Sequence, residues 1–209
     1  MMNREPVVLI HGIWVRGYIM RPLANTLSIA GYQTHIYSYP STRYALRQQA
    51  QYLLDYLDAK GIERACFVAH SMGGLLLRHL ADLSPTRVVS AVTLSTPHQG
   101  SLVASAMRRK HLGRLLGRTY LQGLDGELPP WPEAIPLGSL AGSHSLGMGR
   151  LLTRFPGTND GTVQEAETLL AGLRAQRTLH YSHTGILYAS ESAREVEHFL
   201  QYHCFSPPA

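Results

Sequence analysis

Cysteine is nearly absent from this chain of 209 residues: Cys66 and Cys204 are the only two. A pair so far apart excludes a disulfide scaffold and reads as two reduced thiols. The start, Met1-Met2-Asn3-Arg4-Glu5-Pro6, lacks the apolar stretch of a secretory signal, which together with the thiols points to the cytoplasm. Nowhere do eighteen apolar residues run together, so no transmembrane helix is expected. Repeats and low-complexity tracts are missing as well. Lysine is scarce, two against seventeen arginines, in a net charge of +5. Carboxylates are missing altogether between Asp82 and Asp125, while Arg87, Arg108, Arg109, Lys110, Arg114 and Arg118 fall in that interval. Such a stretch is either a plainly solvated face or a patch drawn to anionic lipid or an acidic substrate. Nucleic acid is not expected as a partner, because neither interleaved aromatics nor a binding motif accompanies the charge. Oligomeric state is not legible.

What is present is an ordinary globular composition, 44% hydrophobic, with length for one domain spanning 1–209 and a large core. Apolar strand-like runs alternate with helical patterns from end to end, which predicts a mostly parallel sheet of about six strands with helices on both faces. Strands are expected at Val7–Ile10, Gln33–Tyr39, Ala65–Ala69, Val88–Leu94, Ile135–Ala141 and Arg177–Tyr181. Helices are expected at Arg21–Ala30, Arg43–Lys60, Met72–Leu83, Thr162–Ala175 and Glu191–Tyr202. Residues 102–134 read as a cap or lid inserted above the sheet. Its first part, 102–118, predicts a helix with Leu112, Leu115 and Leu116 inward and the basic residues outward; its end, with four prolines between Leu128 and Pro136, cannot be regular structure.

The stretch Ala65-Cys66-Phe67-Val68-Ala69-His70-Ser71-Met72-Gly73-Gly74 carries the chemistry. An apolar strand stops at a serine, a small-residue turn follows, and an apolar helix begins, the layout of a nucleophile elbow. The residues two before and two after Ser71 must be small, and they are Ala69 and Gly73. As a bland alternative, Ser71 is a helix N-cap. A serine hydroxyl is a poor nucleophile until a base lies within hydrogen-bond reach and a carboxylate fixes the base's tautomer. In chain order the acid and base that fit are Asp160, in Thr158-Asn159-Asp160-Gly161-Thr162-Val163, and His183, in Tyr181-Ser182-His183-Thr184-Gly185. Both loops follow strands and open on the edge where Ser71 lies. Asp125 and His144 are the rivals; His180 should lie inside the sixth strand, with His198 and His203 on the far side of the last helix. Negative charge developing on a carbonyl oxygen needs donors, supplied by the Met72 N–H at a helix N-terminus and the Ile13 N–H beyond His11-Gly12. Trp14, Tyr18, Met20, Leu102 and Ile186 are the candidate lining of an apolar pocket.

These four pieces in order, Val8-Leu9-Ile10-His11-Gly12-Ile13, Ala69-His70-Ser71-Met72-Gly73-Gly74, Thr158 to Val163 and His183-Thr184-Gly185-Ile186-Leu187-Tyr188, resemble the α/β-hydrolase family, and within it the small bacterial lipases and esterases. The resemblance spans roughly residues 7 to 200. It implies an α/β-hydrolase fold and cleavage of carboxylic esters, small or lipidic, through an acyl-enzyme. Ser71 is then nucleophile, His183 base, Asp160 orienting acid, and Ile13 with Met72 the oxyanion hole. Thr96-Pro97-His98-Gln99-Gly100-Ser101 is similar to a segment of many lipases, where His98 would shape the pocket wall or support it by hydrogen bonds. Acyl transfer or thioester hydrolysis would use the same three residues, and a binding protein on this scaffold would need none of them. No cofactor is implied. Nor is a metal: the histidines lack zinc-ligand spacing, and Asp125 with Glu127 would be the pair to hold an ion if one bound.

Overall fold

The computed structural model describes residues 4–207. Six parallel strands form one sheet in the order β2-β1-β3-β4-β5-β6. They are β1 (Val7–Ile10), β2 (Thr34–Tyr37), β3 (Ala65–His70), β4 (Val88–Leu94), β5 (Leu137–Gly142) and β6 (Ala175–Leu179). The central strands β1, β3 and β5 are buried along their whole length, as continuous apolar runs covered on both faces must be. Two apolar clusters lie on opposite faces. One joins Val8, Ile10, Phe67 and Ala69 to Leu46, Leu53 and Leu57 of α2 (Leu46–Ala59) and Leu75, Leu76 and Leu80 of α3 (Met72–Leu83). The other joins Val7, Leu9, Val68 and Val92 to Leu23 and Leu27 of α1 (Arg21–Ile29) and Val196 and Phe199 of α6 (Ser190–Tyr202). Strand order reverses between β1 and β3, since β2 lies on one side of β1 and every later strand on the other. Loops leaving the carboxyl ends of β1 and β3 diverge there and open a crevice. Ser71 sits at that switch point.

Residues 102–134 depart from the expected single helix. α4 (Leu102–Arg109) starts on the Ser101 hydroxyl, which accepts from the Ala104 N–H, and stops at His111, where φ is +60°. A 3-10 segment (Gly113–Thr119) and one π turn (Tyr120–Leu124) follow. Gly117 breaks the helix with φ +64°, and a Cβ there would strike Thr42. Of the three leucines expected inward, Leu116 is buried, whereas Leu112 and Leu115 face solvent. The expected helix Thr162–Ala175 is not formed either. A single 3-10 turn, Glu165–Thr168, closes on a capping box between Gln164 and Glu167, and the chain then extends. Glu167 is turned inward, where the N–H groups of Leu102 and Gln164 donate to its carboxylate at 2.5 and 2.7 Å. A buried carboxylate so held dictates a turn where pattern alone reads a helix. β6 accordingly begins at Ala175 and ends before His180, which is exposed.

The insertion is pinned to the body by buried side chains of α3. The Arg78 guanidinium donates to the carbonyls of His98 (2.7 Å) and Pro129, and His79 Nε2 donates to the Gln122 carbonyl at 2.7 Å. Leu116, Leu124 and Trp131 join the first apolar cluster. Among the described residues no helix is long and apolar enough to cross a membrane.

Candidate active site

Ser71 stands between β3 and α3 with φ +54° and ψ −127°, a conformation that non-glycine residues rarely adopt. Its neighbours explain why the turn is so tight. A Cβ on Gly73 would lie 2.6 Å from the His11 carbonyl oxygen, and one on Gly74 would run into Thr96. The Thr96 hydroxyl donates to the Ser71 carbonyl at 2.8 Å and Ser71 N–H to Leu94, so the strained residue is held from the β4 side. At the first small position the turn accepts Ala69, which is wholly buried.

Three side chains distant in sequence meet here. His183 Nε2 lies 3.0 Å from Ser71 Oγ, and His183 Nδ1 lies 2.8 Å from Asp160 Oδ2. The other Asp160 oxygen accepts from the N–H groups of Thr162 (2.9 Å) and Val163 (2.7 Å). Burial pushes the Asp160 carboxyl up, but the adjacent His183 imidazole and the Val163 N–H outweigh it, leaving the group below its ordinary range and ionised. An ionised acceptor at Nδ1 leaves the lone pair of the neutral ring at Nε2, facing the serine.

Gly12 lies against the elbow: a Cβ there would be 3.0 Å from Ser71 Cβ and 3.3 Å from His70 Nδ1. The Gly12 carbonyl accepts from His11 Nδ1 at 2.8 Å, while His11 Nε2 accepts from the Tyr39 N–H at 3.1 Å. Those two partners fix the tautomer. Because a trans peptide holds its C=O and N–H in opposite directions, pinning the Gly12 carbonyl aims the Ile13 N–H the other way. Burial pushes the His11 pKa down and keeps the ring neutral.

A cavity of about 410 Å³ opens over Ser71 and His183, walled by Ile13, Trp14, Val15, Ile19, Val103, Leu146, Met148 and Leu152. Of the expected lining residues, Trp14 is present. The other four lie elsewhere. Ile186 and Met20 are fully buried in the second apolar cluster, Tyr18 faces solvent outside the cavity, and Leu102 borders a separate polar cleft with Asp125 and Glu167. Tyr18, Met20 and Ile186 lie on 3-10 turns, at 17–20 and 185–187, whose side-chain directions helix and strand patterns do not anticipate. From the 102–134 insertion the wall takes Val103 alone. What covers the serine is the segment after β5, with α5 (Gly149–Leu152) at its centre. Its signal was a run of apolar residues alternating with glycine, Leu146-Gly147-Met148-Gly149, in a loop that otherwise had no reason to be apolar. His98 is buried away from the cavity, bonded to Thr93 at 3.1 Å and accepting from Arg78 on its carbonyl.

Comparison with known proteins bears on the family and the fold. The family model described as the alpha/beta hydrolase fold matches residues 5–124. Esterase YbfF of Escherichia coli (strain K12) is 33% identical over 105 residues, 44% of this chain and 39% of that protein. A triacylglycerol lipase of Pseudomonas fragi is 25% identical over 146 residues, 65% of this chain and 48% of the lipase. The alignments thus span less than half the length of these curated relatives. Among solved structures, the Bacillus licheniformis lipase BlEst2 in mature form superposes with a TM-score of 0.75 at 20% identity, covering 97% of this chain and 93% of that one. Carboxylesterase CesB of Bacillus subtilis gives 0.59 at 15% identity, covering 96% and 85%. At such identities the structural likeness speaks for the fold.

Proposed function

This chain belongs to the α/β-hydrolase family, and from that premise we propose that it hydrolyses carboxylic esters through an acyl-enzyme on Ser71. The supporting observation is the unbroken relay from Asp160 through His183 to Ser71, with contacts of 2.8 and 3.0 Å, at the floor of an apolar cavity. As Ser71 Oγ attacks the ester carbonyl, His183 Nε2 takes its proton and Asp160 stabilises the imidazolium. The Met72 and Ile13 N–H groups then receive the oxyanion; losing one such donor typically costs about 2.7–4 kcal/mol of transition-state stabilisation. His183 returns the proton to the departing alcohol, and water repeats the cycle on the acyl-enzyme. A fluorophosphonate probe is expected to label the wild-type protein and spare Ser71→Ala; equal labelling of both would sink the reading.

The cavity wall favours an apolar acyl chain, as the names of several relatives suggest for those proteins. We take residues 102–134 as a fixed buttress within one domain and residues 143–155 as the cover. Exposed Leu146, Met148 and Leu151 on that cover stand beside Arg150 and Arg154, with Arg16 exposed on the first loop. Between Glu5 and Asp55, and again between Glu133 and Asp160, the sequence holds no carboxylate. Apolar tips amid uncompensated arginine suit transient contact with an anionic lipid surface. Sedimentation with vesicles should show binding that rises with anionic lipid content and falls with salt. Equal partitioning onto neutral vesicles would remove the electrostatic part.

A further inference from the structure

His70 has no part in the relay, yet it is buried and its Nε2 lies 2.8 Å from the main-chain carbonyl of His183, 113 residues away. A carbonyl can only accept, so Nε2 carries the proton. Its Nδ1 is sealed from solvent with no hydrogen-bond partner, against Gly12. The two imidazoles pack with their centres 4.8 Å apart and their planes tilted by 48°. We propose that His70 is a positioning residue for the base: it clamps the backbone of His183 to the strand that carries the nucleophile.

This inference rests on the ester-hydrolase reading and refines it. The main chain of residue 183 is held at both ends, its N–H donating to the Asp160 carbonyl at 3.0 Å and its C=O accepting from His70. Its ring is held by Asp160 and Ser71. The acid and base loops could drift together as a unit without breaking any bond between them. Among the described residues, hydrogen bonds to Ser71 and to its neighbour His70 join that unit to the elbow, and the bond to Ser71 must break in every catalytic cycle. The bond from His70 persists through the cycle, so the ring stays in register while the proton moves. Desolvation, reinforced by the neighbouring His183, pushes the His70 pKa down to about 3, so it stays neutral beside an imidazolium.

The test uses His70→Phe, which keeps the ring and removes the donor, and His70→Gln, whose side-chain amide nitrogen stands as many bonds from Cα as the lost Nε2. His70→Phe is expected to lower kcat on a short activated ester, and the rate of fluorophosphonate labelling, by about 10- to 100-fold with KM little changed. His70→Gln should restore most of both. In proton NMR, the low-field resonance of His183 Nδ1–H should be sharp in wild type and His70→Gln and broadened by exchange in His70→Phe. If His70→Phe does not fold, His70→Asn, one bond too short, replaces it with the same expected losses. Unchanged labelling and an unchanged resonance in the variant lacking the donor would overturn the clamp. Should wild type itself fail to label, the hydrolase reading falls, and the resonance alone still decides whether His70 orders residue 183.

Discussion

At the scale of single residues, the site depends on close approach between backbones. Ser71 is held at φ +54°, and Gly73 and Gly74 beside it leave no room for a methyl group. Gly73 and Gly74 abut main-chain carbonyls and a buried threonine, which cannot yield. Gly12 meets the Cβ of Ser71 and a ring nitrogen of His70, which can give by a few tenths of an ångström. Gly12→Ala should therefore fold, with an overpacking cost of about 1–3 kcal/mol. Its effect on turnover should be larger, because the displaced Cβ carries the hydroxyl we propose as nucleophile: a loss of about 100-fold in kcat is expected. Kinetics on a soluble ester beside a thermal melt will separate the two. A kcat loss no greater than the stability loss explains would mean that Gly12 serves the fold alone.

Among elements, the segment after β5 and the insertion after β4 differ in what holds them and in what they expose. The insertion is tied down by Arg78, His79 and the Trp14 indole, whose Nε1 donates to the Leu115 carbonyl at 2.8 Å. The cover holds one helical turn, far too short to persist without tertiary support. It rests on its neighbours: Gly147 and Gly149 lie on Gly161, Ser145 donates to Asn159 at 2.5 Å, the Ser143 and His144 N–H groups donate to the Leu179 and Tyr181 carbonyls, and Leu152 and Phe155 pack on the first apolar cluster. Leu146, Met148 and Leu151 are 66, 74 and 72% exposed, so a polar replacement there loses little packing. Leu151→Asp, which lies outside the cavity wall, should shift stability by roughly 0.5 kcal/mol or less. Activity on a long-chain ester emulsion should fall severalfold while a short soluble ester is cleaved as before. Equal loss on both substrates would show that the cover shapes the site itself and not its access to lipid.

Across the whole molecule, acid stability is set by buried neutral histidines. Desolvation pushes His70 and His98 down to about 3, and it lowers His11 and His79 as well. A histidine with a folded pKa below its unfolded one binds fewer protons in the fold, so stability is complete above about 6.5 and is lost as pH falls toward 3. At pH 5, His70 and His98 each remove about 2 kcal/mol. Asp160 acts in a later window, since its lowered carboxyl contributes stability that is lost only below its ordinary value of 3.8. With domains stable by about 5–15 kcal/mol, the urea midpoint should drop clearly between pH 7 and pH 5, above the window in which Asp160 acts. A midpoint flat over that range would show that the histidines are hydrated in the fold.

Much of this could be read along the chain because the deciding interactions are local. Strands β1, β3 and β4 announce themselves as apolar runs, and Ala69 to Gly73 states the elbow, since a turn that tight admits only small residues. The chain order of Ser71, Asp160 and His183, on the connections that follow β3, β5 and β6, was equally legible. Their separations of 2.8 and 3.0 Å were not, nor was the bond from His70 to residue 183, since pairing across 113 residues depends on how the sheet twists and the loops settle. The same holds for Ile186 and Tyr18, which lie beside the site in sequence and outside the cavity in space. Glu167 turned a helical pattern into one turn because the distant Leu102 N–H, together with that of nearby Gln164, needed a buried acceptor. Sequence alone thus determined the alternation of elements and the chemistry available at their ends, because hydrophobic period and turn geometry act over a few residues. Which side chains meet, which segment covers the serine and which histidines stay neutral were decided only in the tertiary structure, where burial and hydrogen bonding act between parts the chain keeps far apart.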